Sequence, residues 1–360
     1  MTELSVKKVI MAARIRLSPF AIVLTVSIGV LLLFLYSRDR VLFHALTREK
    51  VSIGKLLSAA IDLAERAGKV VAEVRTSDGL GEEVKGETVE GAKEYVTKGD
   101  MASHRAIVKG LVKAFPGITY VSEEHEKETE FDVSFPNVDR KEVMEISMQD
   151  DVELSRVAVW IDPLDATQEY TEKLLQYVTV MVCITVDGRP VAGVIHHPNF
   201  SAEFPAETTW AWVGRGGSEG LVQSASLTKT REITASMDHL SLIVSRSHGG
   251  AVNASARKAF GLATKVVLAG GAGYKVLQVI RGKVDGYVHV TCIKKWDICS
   301  GDAILRALGG KMTKLDGEEI DYSADITPKN EGGLLASLTN HEKMRKKLTA
   351  SGTQVSPCRH

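Results

Sequence analysis

The sequence predicts a layered, mixed α/β protein preceded by one transmembrane helix. Helical and strand periodicities interleave after residue 53 without an internal repeat, and residues 17–37 form an apolar stretch with no charge. Composition agrees: 44% hydrophobic and 25% charged over 360 residues is that of an ordinary folded chain, neither disordered nor polytopic. Lys plus Arg and Asp plus Glu number 45 each. A balanced charge leaves no footprint for phosphate-backbone binding, which argues against a nucleic acid polymer as partner.

The first element is the apolar run, flanked by Arg14 and Arg16 before it and Arg38 and Arg40 after it. At 1.5 Å per residue it makes about 32 Å of helix, enough to cross one bilayer. A cleaved signal peptide is the rival reading, but the run exceeds the usual apolar core and no small-residue cleavage pattern follows Tyr36. The expectation is an uncleaved anchor with a cytosolic tail of residues 1–16 and a stem of residues 38–54. Basic residues stand on both sides, so charge does not orient it. N-x-S sequons at Asn199 and Asn253 suit a lumenal main body, hence a single-pass type II protein. Cys183, Cys292, Cys299 and Cys358 are too few and too scattered for a disulfide framework, and no pair has CxxC spacing. Cys299 reads as a buried small residue, and thiolate metal binding is not expected.

Apolar residues from Leu56 to Val71 recur at helical spacing and predict a helix over residues 53–74. A second helix is expected over 100–114, stopped by Phe115-Pro116-Gly117. Residues 123–153 are acidic with few apolar runs and read as a long surface excursion. Residues 157–161 read as a buried strand, and 178–186 with 191–195 as a hairpin around Asp187-Gly188. Further strands are expected near 210–213, 240–244, 265–268, 286–290 and 333–337. Helices at 273–281 and 297–308 close on Gly282 and Gly309-Gly310. The expected organisation is an N-terminal α+β subdomain over 55–225, a C-terminal α/β subdomain over 226–348, and a flexible tail over 349–360.

The most informative segment is Trp160-Ile161-Asp162-Pro163-Leu164-Asp165-Ala166-Thr167, an apolar strand running into two carboxylates around a proline. Proline fixes a tight turn, so Asp162, the Leu164 carbonyl and Asp165 can converge on one hard cation. Asp165 and Gln168 have helix-start spacing, which would aim the Ala166 and Thr167 amides at an anion beside the metal. A merely capped turn is the alternative. Glu123-Glu124 after an apolar strand, Asp297 at a helix start and Asp100 at another are each open to a plain reading as well, a solvated loop or an N-cap.

Taken together and in this order, Asp100, Glu123-Glu124, Asp162 to Thr167 and Trp296-Asp297 resemble the lithium-sensitive, magnesium-dependent phosphatase superfamily. Its members include inositol monophosphatase, fructose-1,6-bisphosphatase and the bisphosphate nucleotidases. Ala166 stands where many members carry Gly. The resemblance covers most of the chain after about residue 55 and implies an αβαβα layered sandwich. It further implies Glu123, Asp162, the Leu164 carbonyl, Asp165 and Asp297 as ligands of two or three Mg²⁺ ions, inhibited by Li⁺. Asp100 and Thr167 would orient and deprotonate the attacking water. Carboxylates without His or Cys suit Mg²⁺, and closely spaced metals support in-line displacement with no covalent phosphoenzyme.

Substrate choice is expected in the C-terminal half. Ser245-Arg246-Ser247-His248 follows a strand, and Gly270-Gly271-Ala272-Gly273-Tyr274-Lys275 leads into a helix. Such a turn lets backbone N–H groups approach a phosphate or a base, although as a bare motif it is equally a packing turn. With Ile293 to Cys299 these segments resemble the bisphosphate nucleotidase branch, which acts on 3′-phosphoadenosine 5′-phosphate. The resemblance implies Ser245, His248, Gly271 and Lys275 as nucleotide contacts. With the anchor, it implies a Golgi-membrane enzyme that clears the by-product of lumenal sulfotransferases, giving AMP and phosphate. The alternative is a lumenal inositol (poly)phosphate phosphatase. A silent scaffold is opposed by the completeness of the carboxylate set. His104, His196, His197 and His289 are expected to be structural, and a homodimer is left open.

Overall fold

The computed structural model describes residues 49–77, 79–87, 93–125, 133–221, 239–246 and 256–353, with residues 27 and 355. The expected anchor (apart from Ser27), the Asn253 sequon, His248 and most of the expected subdomain junction lie outside them. The chain divides into Met1–Glu49 and Lys50–His360, and every element below belongs to the second unit. No helix among the described residues is long and apolar enough to cross a membrane.

Ser52 starts α1 (Ile53–Thr76): its hydroxyl accepts the Lys55 amide, a side-chain N-cap. The stripe Leu56, Leu57, Ala60, Ile61, Ala64, Ala67 and Val71 is fully buried, as its spacing requires. Thr97 caps α2 (Lys98–Ala114), and Asp100 returns the bond to the Thr97 amide, a capping box that sets the start two residues ahead of the expected one.

The two helices cover one face of a six-stranded sheet formed by β1 (Thr119–Ser122), β2 (Val157–Asp165), β3 (Thr179–Val186), β4 (Arg189–His197), β5 (Glu207–Trp212) and β6 (Gly216–Gly217). The order is β6-β5-β4-β3-β2-β1, antiparallel except for the β1–β2 pair. Strand alternation sorts the residues of β3. Val180, Val182 and Ile184 pack under α1 and α2, while Met181 and Cys183 face the opposite layer.

A second sheet, order β8-β7-β9-β11-β10, is built from β7 (Ser241–Ser245), β8 (Lys265–Ala269), β9 (Gly286–His289), β10 (Lys311–Thr313) and β11 (Leu334–Ser337). Between the sheets lie α5 (Ala272–Ile280) and α6 (Trp296–Ala307); two shorter helices, α3 (Lys141–Met144) and α4 (Thr167–Thr171), precede them in the chain. On the outer face of the second sheet, Leu242, Val244, Val288 and Leu335 pack on Met344 and Leu348 of α7 (His341–Ala350). The layers thus read α, β, α, β, α, as the resemblance implied.

Three expectations need correction. The acidic segment 123–153 is not simply a surface excursion. Within it α3 buries Val143, and Asp151–Glu153 pairs antiparallel with Lys50–Ser52, because its scattered apolar residues suffice for one turn and one short ladder. Asp162-Pro163-Leu164-Asp165 is not a free turn but the end of β2, with a register shift against β3 between Asp162 and Asp165. Proline there removes a ladder donor, as bulged positions tolerate. Finally, Cys183 on β3 and Cys299 on α6 form a disulfide that ties the first sheet to the middle layer, with Cα atoms 5.7 Å apart, and Cys292 is disulfide-bonded too. A separation of 116 residues hides from the sequence a contact that only helix-on-sheet packing creates.

Candidate active site

The site forms where β2 ends and where α2, α5 and α6 begin. Along β2, Val157, Val159 and Ile161 point toward α1 and α2, and Trp160 points to the middle layer. Continuing the alternation sets Asp162 on the Trp160 side, toward α6. The Leu164 amide donates to Asp162 Oδ1 at 3.1 Å, and the Ser103 hydroxyl of α2 donates to the Pro163 carbonyl at 2.5 Å, which fixes the bulge. Glu123 comes one residue after β1, where its amide donates to the Ile161 carbonyl at 3.1 Å and prolongs the parallel ladder up to Asp162. Asp297 lies in the first turn of α6, its Oδ2 accepting the Lys294 amide at 3.1 Å.

One ligand oxygen from each of Glu123, Asp162 and Asp297 lies within 4.8 Å of the others. Burial first, and then neighbouring carboxylates, push all three above the ordinary carboxylate range. Like charges crowded in a low dielectric call for a cation. The chain offers one in part: Lys85, on the hairpin Glu83–Glu87 with Lys93–Val96, places its Nζ 2.6 Å from Glu123 Oε1 and pairs with Glu124. Burial works against the Lys85 ammonium, but the two glutamates hold its pKa above the ordinary value. Asp162 and Asp297 have no such ammonium partner among the described ion pairs. An all-oxygen, converging set of this kind fits Mg²⁺.

Asp165 departs from the expected arrangement. It does not start its own helix: α4 begins after Ala166, held in the left-handed region at φ 69°. The Asp165 carboxylate instead caps α5 through space, accepting the Ala272 amide at 3.0 Å, the Gly273 amide at 2.8 Å and the Thr179 hydroxyl at 3.0 Å. Two donors expected to face a ligand at the glycine turn are therefore already engaged. Gly271 is required there: at φ +59° a Cβ would sit 2.5 Å from the Tyr177 carbonyl and 3.0 Å from Asp165 Oδ2.

Asp100 and Thr167 do meet. The Thr167 hydroxyl lies 3.0 Å from Asp100 Oδ1 and 3.1 Å from the Leu164 carbonyl, so that carbonyl belongs to the same cluster. Asp100 Oδ2 accepts the Thr97 amide at 2.7 Å and its hydroxyl at 2.5 Å. Burial, with Glu123 adding to it and the Thr97 bonds opposing it, raises the Asp100 carboxyl to about 7, the range suited to a proton acceptor near neutral pH.

A cavity of about 240 Å³ joins these parts, lined by Glu123, Asp165, Thr167, Ser245, Gly271, Lys275 and Asp297 among the expected residues. Asp100, Asp162 and Leu164 stand behind its wall. Lys275 is buried, its ammonium 5.3 Å from the Tyr287 ring centroid. Burial lowers its pKa, and Asp165, Glu169 and Asp297 counter that. Sequence reasoning missed Lys85, Tyr287, Lys294 and His289 in this wall; His289, taken as structural, lines the cavity while bonding the Thr291 hydroxyl. The Lys85 hairpin carries no apolar alternation that would have marked it.

The model of the "Inositol monophosphatase family" matches residues 53–353. The chain is 42% identical over 345 residues to "Inositol monophosphatase 3" of Danio rerio, covering 93% of this chain and 96% of that one. It is 46% identical over 307 residues to "Golgi-resident adenosine 3',5'-bisphosphate 3'-phosphatase" of Mus musculus, covering 83% and 82%. Among solved structures, the inositol monophosphatase of Thermotoga maritima superposes with a TM-score of 0.55 at 20% identity, over 81% of this chain and 96% of that one. CysQ from Bacteroides thetaiotaomicron gives 0.54 at 22%, over 78% and 96%. At these identities the two structures speak to the fold alone.

Proposed function

The chain belongs to the inositol monophosphatase family, and from that premise we propose that it is a magnesium-dependent 3′-phosphatase converting 3′-phosphoadenosine 5′-phosphate to AMP and phosphate. The observation that carries the reading is the cavity whose wall joins Glu123 and Asp297 of the carboxylate cluster and Thr167 to Ser245, Gly271 and Lys275, with Asp162 and Asp100 behind that wall. The Golgi-resident relative supports the choice of nucleotide. Glu123, Asp162 and Asp297 would hold the metal, with Asp165 and the Leu164 carbonyl beside them. Bound there, Mg²⁺ supplies Lewis acidity at phosphoryl oxygens.

The chain's own residues divide the remaining work. The Thr167 hydroxyl, tethered to Asp100, orients a water for in-line attack, and Asp100 takes up the proton released. The Lys275 ammonium neutralises the phosphate, and Gly271 leaves room for the substrate to approach the α5 turn. The buried disulfide between Cys183 and Cys299 supports an oxidising compartment. So does the exposed sequon at Asn199. Both accord with an enzyme held in the Golgi lumen by the 17–37 anchor.

The full chain, made in a secretory host, should release phosphate from 3′-phosphoadenosine 5′-phosphate far faster than from inositol 1-phosphate, and only with Mg²⁺. The relative of Danio rerio named for inositol monophosphatase gives the second reading its support. Preference for the inositol ester would establish it instead.

A further inference from the structure

Tyr287 projects from β9, the central strand of the second sheet, into the middle layer, where its ring packs in the core. The side chain is 1% exposed and lines the cavity beside Lys275. Its hydroxyl is buried and has no hydrogen-bond partner among the described residues. A buried hydroxyl without a partner is costly, and Phe would fill the same space without that cost.

The nearby carboxylates do not complete it. Asp165 receives three protein donors and Asp297 the Lys294 amide, and the Tyr287 hydroxyl makes no hydrogen bond to either carboxylate. An O–H donor enclosed at the cavity wall, next to a buried ammonium, is completed by an anionic oxygen that arrives with a ligand.

We propose that the Tyr287 hydroxyl is a substrate contact: it donates a hydrogen bond to a phosphate oxygen of the bound phosphomonoester, on the same side as Lys275. The choice of ester rests on the function proposed above, whereas the contact itself belongs to the phosphate. It adds a neutral donor that fixes the phosphate's orientation, where Lys275 supplies a point charge.

The test compares Tyr287→Phe with wild type in the full-length protein, using 3′-phosphoadenosine 5′-phosphate, inositol 1-phosphate and the product inhibitor inorganic phosphate. The contact predicts a fall in kcat/KM of about tenfold to a hundredfold on whichever ester the wild type hydrolyses. Phosphate inhibition should weaken by about the same order, and the Tm should be unchanged or higher, since an unsatisfied hydroxyl has been removed. Activity and phosphate inhibition within twofold of wild type would overturn the contact. So would a Tm lowered by several degrees with no change in phosphate inhibition, which would make the hydroxyl structural. A wild type that prefers the inositol ester refutes the nucleotide reading while leaving the Tyr287 comparison to be made on that ester.

Discussion

Asp162 is the residue whose removal should separate metal binding from chemistry. It is 1% exposed, and burial, then Glu123, push its carboxyl well above the ordinary range, so that only a bound cation favours its charged form. Asp162→Ala should therefore abolish the Tm increase that Mg²⁺ gives wild type; thermal melts with EDTA or Mg²⁺ check this, and a normal Mg²⁺ response would remove Asp162 from the ligand set. Thr167→Ala and Asp100→Ala should keep Mg²⁺ binding by calorimetry yet lose about 10²–10⁴-fold in kcat. The carboxylates proposed as ligands could be picked out of the sequence because most of them lie in short local patterns, Glu123-Glu124 and Asp162 to Thr167. Lys85, His289 and Tyr287 could not be: Lys85 sits on a local hairpin with no apolar alternation to mark it, and His289 and Tyr287 reach the cavity through pairing of strands distant in sequence.

Elements were read better than their junctions. Periodicity located α1, β3 and β4 within a few residues, since each buries a regular stripe or face. It could not show that Asp165 caps α5, a partnership across 107 residues, or that β2 runs on through Pro163. Placement of α6 on the sheet depends on one close approach. A Cβ at Gly193 of β4 would stand 2.3 Å from the Ser300 carbonyl and 3.0 Å from Ala303 Cβ. Gly193→Val should push α6 and Asp297 away from Asp162, costing about 1–3 kcal/mol of stability. It should also raise the Mg²⁺ concentration for half-maximal activity, and a metal titration beside a denaturant melt reads both effects.

For the whole molecule, metal-free stability should carry an unusual pH dependence. Asp100 is raised to about 7 and Asp302 to about 6, in both cases chiefly by burial, from an ordinary 3.8. Between about pH 4 and 7 the folded chain keeps protons that the unfolded chain has released, so these groups make stability fall as pH rises through that window. The depressed carboxyls of Asp150 and Glu142 act with the opposite sign at lower pH, and His196 and His341, each lowered by burial to about 4, do so between about pH 4 and 6.5, which leaves the fall unopposed only above about pH 6.5. Melts in EDTA from pH 6.5 to 8 should show a declining Tm that Mg²⁺ restores at pH 7; a Tm that climbs over that range would contradict the Asp100 assignment. The Cys183–Cys299 link bears on how the protein is made as well as where it works. Its first thiol is synthesised 116 residues before the second, so Cys183 of β3 leaves the ribosome as an unpaired thiol. It stays open to stray pairing until α6 has emerged and docked. A chain cut short before residue 299 can never close that link, which makes it a seal set only on molecules whose synthesis has gone past the last of the matched acidic residues.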